Sequence, residues 1–268
     1  MKIGFIGDVV GKPGRDMINS HLKALREEFE VDFVIANTEN ASHGFGLSIK
    51  NANELFGMGI DVMTGGNHTW DRKEIVEILN VLPILRPYNL PLSVAGRGAI
   101  TVDINGRKLG IINLMGHFSM PMCDNPFIKA KEAVAFVKEQ GAEAVFIDFH
   151  AESTSEKAAL FAMLKGEISA LIGTHTHVGT DDSKIDKGTF FLSDIGLSGC
   201  RDGVIGVDKE APLNRFLTGL PFAFEIPKSC KKIFQMAVFE IEGKNCVDAF
   251  KIKIYDDKPR EITRALHE

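Results

Sequence analysis

His175 and His177 stand two residues apart in Gly173-Thr-His-Thr-His-Val-Gly179, directly after the apolar run 168–172. On a helix this spacing turns the two rings to nearly opposite faces, whereas an extended or looped segment aims both at one point. Neutral imidazole binds zinc, iron and manganese readily, so the pair reads as metal ligation from a strand end; taken alone it also fits two polar loop histidines. Four other segments show the same arrangement. Asp8 follows the apolar stretch 2–6, Glu39 and Asn40 follow 31–36, Asn67 and His68 follow 61–64, and His150 follows 144–149. In layered α/β sheets, sites form beyond the carboxyl ends of strands, so these residues converge without being adjacent in sequence. Two carboxylates, amide oxygens and three imidazoles make a mixed nitrogen and oxygen set suited to two borderline cations, with Glu39 able to bridge them. Cysteine is absent from the set, which disfavours a structural zinc site and favours an open catalytic pair.

The elements that must position these groups alternate early in the chain. Pro13 opens a helix over 13–29 whose Ile18, Leu22, Leu25 and Phe29 recur at helical spacing. Further helices are expected over 49–58 behind Ser48, from Asp71 to about Leu79, over 126–140 behind Pro126, and from Ser153 through Leu164. Asn105-Gly106 marks a two-residue hairpin between strands 99–104 and 108–113, and late strands at 189–192, 231–241 and 247–254 add a second hairpin at 242–245. Early strand–helix alternation with late hairpins implies mixed sheets flanked by helices. The loop 114–126 is long enough to border a site, which makes His117 a candidate pocket residue. Asp194 is a candidate acceptor for the second N–H of a metal-bound imidazole. The glycines around Asp8 do not form a phosphate loop, because only three residues separate Gly7 from Gly11 and Pro13 stands where a magnesium-binding hydroxyl belongs.

A chain of 268 residues, 44% hydrophobic and 25% charged, fits one globular domain over 1–268. The net charge of −5 argues against broad binding to duplex nucleic acid or to an anionic membrane, while leaving room for a local phosphate site. No apolar stretch approaches the ~20 residues that span a bilayer, and no export signal is visible, so a cytoplasmic location is expected. Cys123, Cys200, Cys230 and Cys246 are widely separated and form no C-x-x-C pair, so all are expected to be free thiols.

The segments Gly7-Asp8-Val-Val-Gly11, Thr38-Glu39-Asn40-Ala41, Gly66-Asn67-His68-Thr69, His150-Ala-Glu152, Gly173-Thr-His-Thr-His-Val178 and Ser193-Asp-Ile-Gly-Leu-Ser-Gly199 together resemble the calcineurin-like metallophosphoesterases. They are more closely similar to the YmdB-like family of bacterial dinuclear phosphodiesterases, over most of the chain. The broad superfamily has Asp-x-His after the first strand; Val10 replaces that histidine here, a departure that the YmdB-like pattern shares. The resemblance implies an α/β fold, a four-layer α/β/β/α sandwich of two mixed sheets. It implies that Asp8, Glu39, Asn40 and His177 hold one ion and that Glu39, Asn67, His150 and His175 hold the other. The ions would be iron, with manganese or zinc as alternatives. His68 would give a proton to the leaving oxygen. The implied substrate is a 2′,3′-cyclic nucleotide, opened to the 3′-nucleotide by in-line attack of a hydroxide bridging cations ~3.5–4 Å apart. A homo-oligomer is also implied. Residue chemistry alone supports metal-assisted phosphoester hydrolysis, which leaves a phosphomonoester or a 3′,5′-cyclic nucleotide as rival substrates. A regulatory metal-binding scaffold for RNA or a protein partner is the rival of another class.

Overall fold

The computed structural model describes residues 1–268. Strand β1 (Lys2–Ile6), helix α1 (Gly11–Glu28), β2 (Phe33–Asn37), α2 (Ile49–Gly57) and β3 (Val62–Thr64) alternate, and the three strands run parallel. A hairpin of β4 (Ala99–Ile104) and β5 (Arg107–Met115) follows, turning at Asn105 and Gly106 with φ of 54° and 82°. Two positive φ values in a two-residue turn are what the Asn-Gly pair accommodates. Helix α3 (Pro126–Glu139) and α4 (Thr154–Leu164) then carry the chain from β5 to β6 (Ala144–His150) and β7 (Ala170–Thr174), all parallel. The remainder holds β8 (Lys184–Asp186), β9 (Thr189–Leu192), β10 (Gly199–Cys200), α5 (Glu210–Thr218), β11 (Lys232–Glu242), β12 (Asn245–Tyr255), β13 (Glu261–Arg264) and β14 (Leu266–His267).

One sheet has the order β13-β12-β11-β1-β2-β3, with β10 on β11; the other has the order β14-β8-β9-β7-β6-β5-β4. Ile3, Phe5 and Ile35 of the first pack against Ile111, Phe146 and Ile172 of the second, and the Phe5 and Phe146 rings lie 4.9 Å apart. On the outer face of the first sheet, Ile18, Leu22 and Leu25 of α1 meet Val34 and Met236. On the outer face of the second, Ala133 and Val137 of α3 and Leu160 of α4 meet Ile112 and Ile147. Three apolar layers between four layers of structure produce the expected α/β/β/α sandwich. No helix is long and apolar enough to cross a membrane.

Two expectations are corrected. The helix from Asp71 to Leu79 is a short 3-10 helix, Lys73–Glu77. The β-branched Ile75, Val76 and Ile78 disfavour longer α-helix, and the Asp71 carboxylate is engaged by His68 instead of capping the turn. The cysteines are not all free: Cys200 and Cys230 form a disulfide with Cα atoms 5.6 Å apart, while Cys123 and Cys246 are free. They are 30 residues apart in the chain, but β10 pairs Cys200 with Lys232 and so brings Cys230 beside it. Local spacing carries no trace of that pairing.

Candidate metal centre

Asp8 lies past β1, Glu39 and Asn40 past β2, Asn67 and His68 past β3, His150 ends β6, and His175 and His177 follow β7. Two parallel sets, one in each sheet, thus deliver their carboxyl ends to one place. His175 and His177 have φ of 97° and 64°. The left-handed backbone therefore sits on the two histidines themselves, a strain of the kind that functional sites hold. Gly66 allows the Asn67 loop to approach, since a Cβ there would overlap the His150 ring and the Glu39 carboxylate.

His150 Nε2 is the centre of the cluster. It lies 3.0 Å from Glu39 Oε1, 3.0 Å from Asn67 Oδ1 and 3.1 Å from His175 Nδ1. A single N–H cannot serve three acceptors, whereas a cation among them satisfies all four atoms. Glu39, His150 and His175 offer ligand atoms within 4.8 Å of one another. His177 Nε2 lies 3.9 Å from Asp8 Oδ1, a buried carboxylate oxygen with no hydrogen-bond partner in the protein. Asn40 lies 3.2 Å from His177 Nε2 through its Nδ2, and a rotated amide would put Oδ1 in that position. This donor chemistry fits a metal pair.

The imidazoles are oriented from outside. Thr174 has one hydroxyl hydrogen and donates it to Asp148 Oδ1 at 2.7 Å, so at 2.9 Å it accepts the Nδ1–H of His150. His175 Nε2 lies 3.2 Å from Glu152 Oε2 without a hydrogen bond between them, and the Nδ1–H of His177 donates to the Ile205 carbonyl at 2.7 Å. In each ring the other nitrogen faces the cluster. Asp148 is itself held by Thr64 and Asn37. Sequence reasoning gave no role to Thr174, Asp148, Glu152 or Ile205; Thr174 and Glu152 stood inside quoted motifs, and Asp148 was signalled as a carboxylate inside an apolar strand.

Charge follows the same geometry. Burial pushes Glu39 upward, but His150 and the His68 N–H prevail and hold its carboxyl at about 2. Burial pulls His150 down, yet Glu39, Asp8 and Asp148 raise it to about 9, so a cation arriving at Nε2 would displace a proton from it. Burial, reinforced by His150, pushes His175 down to about 3. Asp8 is raised by burial, against His177 and His150.

His68 donates its backbone N–H to Glu39 Oε2 at 2.9 Å, and its ring pairs through Nδ1 with Asp71 Oδ2 at 2.8 Å. It lines a cleft above the cluster together with Val10, Phe45, Ile205, Val207 and Phe224. Two expected residues lie elsewhere. Asp194 touches no imidazole: it accepts from Lys157 Nζ and from the Thr176 hydroxyl, both at 2.8 Å, and so fixes the loop between His175 and His177. A carboxylate at a strand end thus serves the backbone that carries the two histidines. His117 is outside the cleft, with Nε2 on the Cys123 carbonyl and its backbone N–H on Glu156, because the loop 114–126 folds back on itself.

This fold and this donor set define a calcineurin-like metallophosphoesterase. The chain belongs to the YmdB-like family, whose model, described as YmdB-like protein, matches residues 5–253. It is 43% identical over 261 residues to the 2′,3′-cyclic-nucleotide 2′-phosphodiesterase of Bacillus subtilis (strain 168), covering 96% of this chain and 98% of that protein. A putative phosphatase/phosphodiesterase of Mycoplasma pneumoniae is 36% identical, with 98% and 96% covered. Among solved structures, a novel phosphatase from Mycoplasma pneumoniae superposes with a TM-score of 0.90 at 35% identity, covering 97% of this chain and 95% of that one. A putative 5′-nucleotidase from Staphylococcus aureus, at 13% identity and TM-score 0.58, shares the fold; this chain matches 55% of its length.

Proposed function

We propose that this chain, as one domain over residues 1–268, is a metal-dependent phosphodiesterase that opens 2′,3′-cyclic nucleotides to 3′-nucleotides. The observation that carries the reading is the set of three imidazoles, two of them with their outer N–H groups already bound, that turn a nitrogen each toward the cluster of Glu39, Asn67, Asp8 and Asn40. Asp8, Glu39, Asn40 and His177 would hold one ion, and Glu39, Asn67, His150 and His175 the other. Two ions of iron, manganese or zinc would supply an activated water and charge that offsets the phosphate. The chain's own groups do the rest. His68, oriented by Asp71, gives a proton to the departing O2′. The cleft of about 160 Å³ places apolar side chains beside the polar cluster. Phe45 and Phe224, with centroids 6.3 Å apart and planes 25° apart, suit a nucleoside better than a bare phosphate. The Bacillus subtilis relative's activity supports the choice of a cyclic substrate.

The test is incubation of chelator-stripped, manganese-reloaded protein with 2′,3′-cyclic AMP, followed by chromatographic separation of 2′-AMP and 3′-AMP. Metal-dependent 3′-AMP is expected, with Glu39→Gln reducing turnover to background. Formation of 2′-AMP would overturn the choice of bond, and no turnover by metal-loaded protein would overturn the substrate.

A further inference from the structure

Strand β12 carries Lys251, Lys253 and Tyr255 at two-residue spacing, so all three project from one face, opposite Ala237, Gln235 and Ile233 of β11. The alternate residues Ile252 and Ile254 belong to the helix-side core, while Ala237 and Ala249 belong to the core between the sheets. Two lysines therefore face inward, where an unpaired charge is costly. Lys251 is 2% exposed, and its Nζ has no hydrogen-bond partner. It lies under Gly179 and Gln235. The oxygens of Asp194, a nearby acid, are already taken by Lys157, Thr176 and Gly196. The nearest carboxylate oxygen to Lys253, on the exposed Asp181, is 3.8 Å away.

Gln235, Lys253, Tyr255 and Arg201 line a cleft of about 350 Å³ with no carboxylate in its wall, in a chain of net charge −5. Arg201 places its guanidinium 5.5 Å from the Tyr255 ring centre and gives Nη2 to Asp257, yet its buried Nε is unpartnered. His177 and Ile205 line this cleft and the cleft over the metal centre alike, so the two are separated only by a ligand imidazole and the residue that orients it.

We propose that this second cleft is an anion subsite for the phosphate that joins the preceding nucleotide, so that the preferred substrate is the 2′,3′-cyclic end of an RNA strand. Arg201 and Lys253 bind the phosphate, Lys251 contributes its charge from beneath, and Tyr255 offers a face to the preceding base. The proposal rests on the phosphodiesterase reading above and extends it from a mononucleotide to a strand terminus.

The experiment compares kcat/KM for adenosine 2′,3′-cyclic phosphate and for the dinucleotide ApA carrying a 2′,3′-cyclic end, with wild type, Lys253→Met and Arg201→Gln. Wild type is expected to favour the dinucleotide by about tenfold, the size of one charge-assisted contact, and each variant to bring the ratio toward one. Equal values in wild type, or a loss in the variants that falls equally on both substrates, would overturn the subsite. Calorimetry with the 3′-phosphorylated products ApAp and Ap separates this from the reaction itself. Tighter ApAp binding that Lys253→Met abolishes supports the subsite even if neither cyclic substrate turns over. Equal binding of the two products, or competition by inorganic phosphate alone with no gain for ApAp, overturns it.

Discussion

Thr174 decides which nitrogen of His150 faces the polar cluster. Its only hydroxyl hydrogen goes to Asp148, so it accepts from Nδ1 and leaves Nε2 with its lone pair toward Glu39 and Asn67. Thr174→Val keeps the shape and removes the acceptor, and it is expected to lower metal affinity by about 10–100-fold, as loss of an outer partner does. Competition with a metallochromic chelator measures this; unchanged affinity would show that the tautomer is fixed by something else. His68→Ala should behave in the opposite way. Its ring partner is Asp71, not the ligand cluster, so bound metal stays the same while the rate falls by about 10²–10⁴. The members of the polar cluster were legible in the sequence because histidine, glutamate and asparagine at strand ends have little packing reason to be there. Thr174 and Asp148 were not, since a threonine or aspartate within a strand is read as packing until its contacts are known.

At the scale of elements, the segment closed by Cys200 and Cys230 forms part of the site. It supplies the Ile205 carbonyl that orients His177, and Val207 and Phe224 of the cleft wall. Closing a loop of 30 residues constrains the unfolded chain by about 3–4 kcal/mol in the entropic description. Cys230→Ser is therefore expected to lower Tm by on the order of 10 °C and to raise KM as the wall loosens. Scanning calorimetry and steady-state kinetics read these two effects. Thiol titration under denaturant should give two reactive groups for the oxidised wild type, and four there would remove the basis of the prediction. Strands with apolar alternation and helices with a clear stripe were legible. Helix α5 was missed although Leu213, Phe216 and Leu217 recur at helical spacing, and in the fold that stripe is exposed. Also missed were β13 and β14, short strands whose positions depend on pairing with distant partners.

For the whole molecule, the inward face of β12 sets how stability depends on pH. The four-layer sandwich was legible from early alternation and late hairpins, but which face of β12 turned inward depended on register with β11, and Lys251 was unremarkable until that register was known. Burial, with Lys253 adding repulsion, pulls the Lys251 ammonium down to about 8 from an ordinary value of 10.5. Between those two values the unfolded chain binds more protons than the folded one, so this group makes stability rise as pH climbs through that window. Below pH 8 its penalty is fully present, on the order of 3 kcal/mol. Lys251→Met keeps the stem and removes the charge. It is expected to be more stable than wild type by about that amount at pH 7, with the advantage shrinking toward zero near pH 10.5. Urea midpoints of both proteins at pH 7 and pH 10 test this, because other titrating groups cancel in the difference. An advantage that stayed constant with pH would assign the gain to packing instead of charge. Inorganic phosphate that stabilised wild type but not Lys251→Met would tie the buried charge to the anion subsite through linkage.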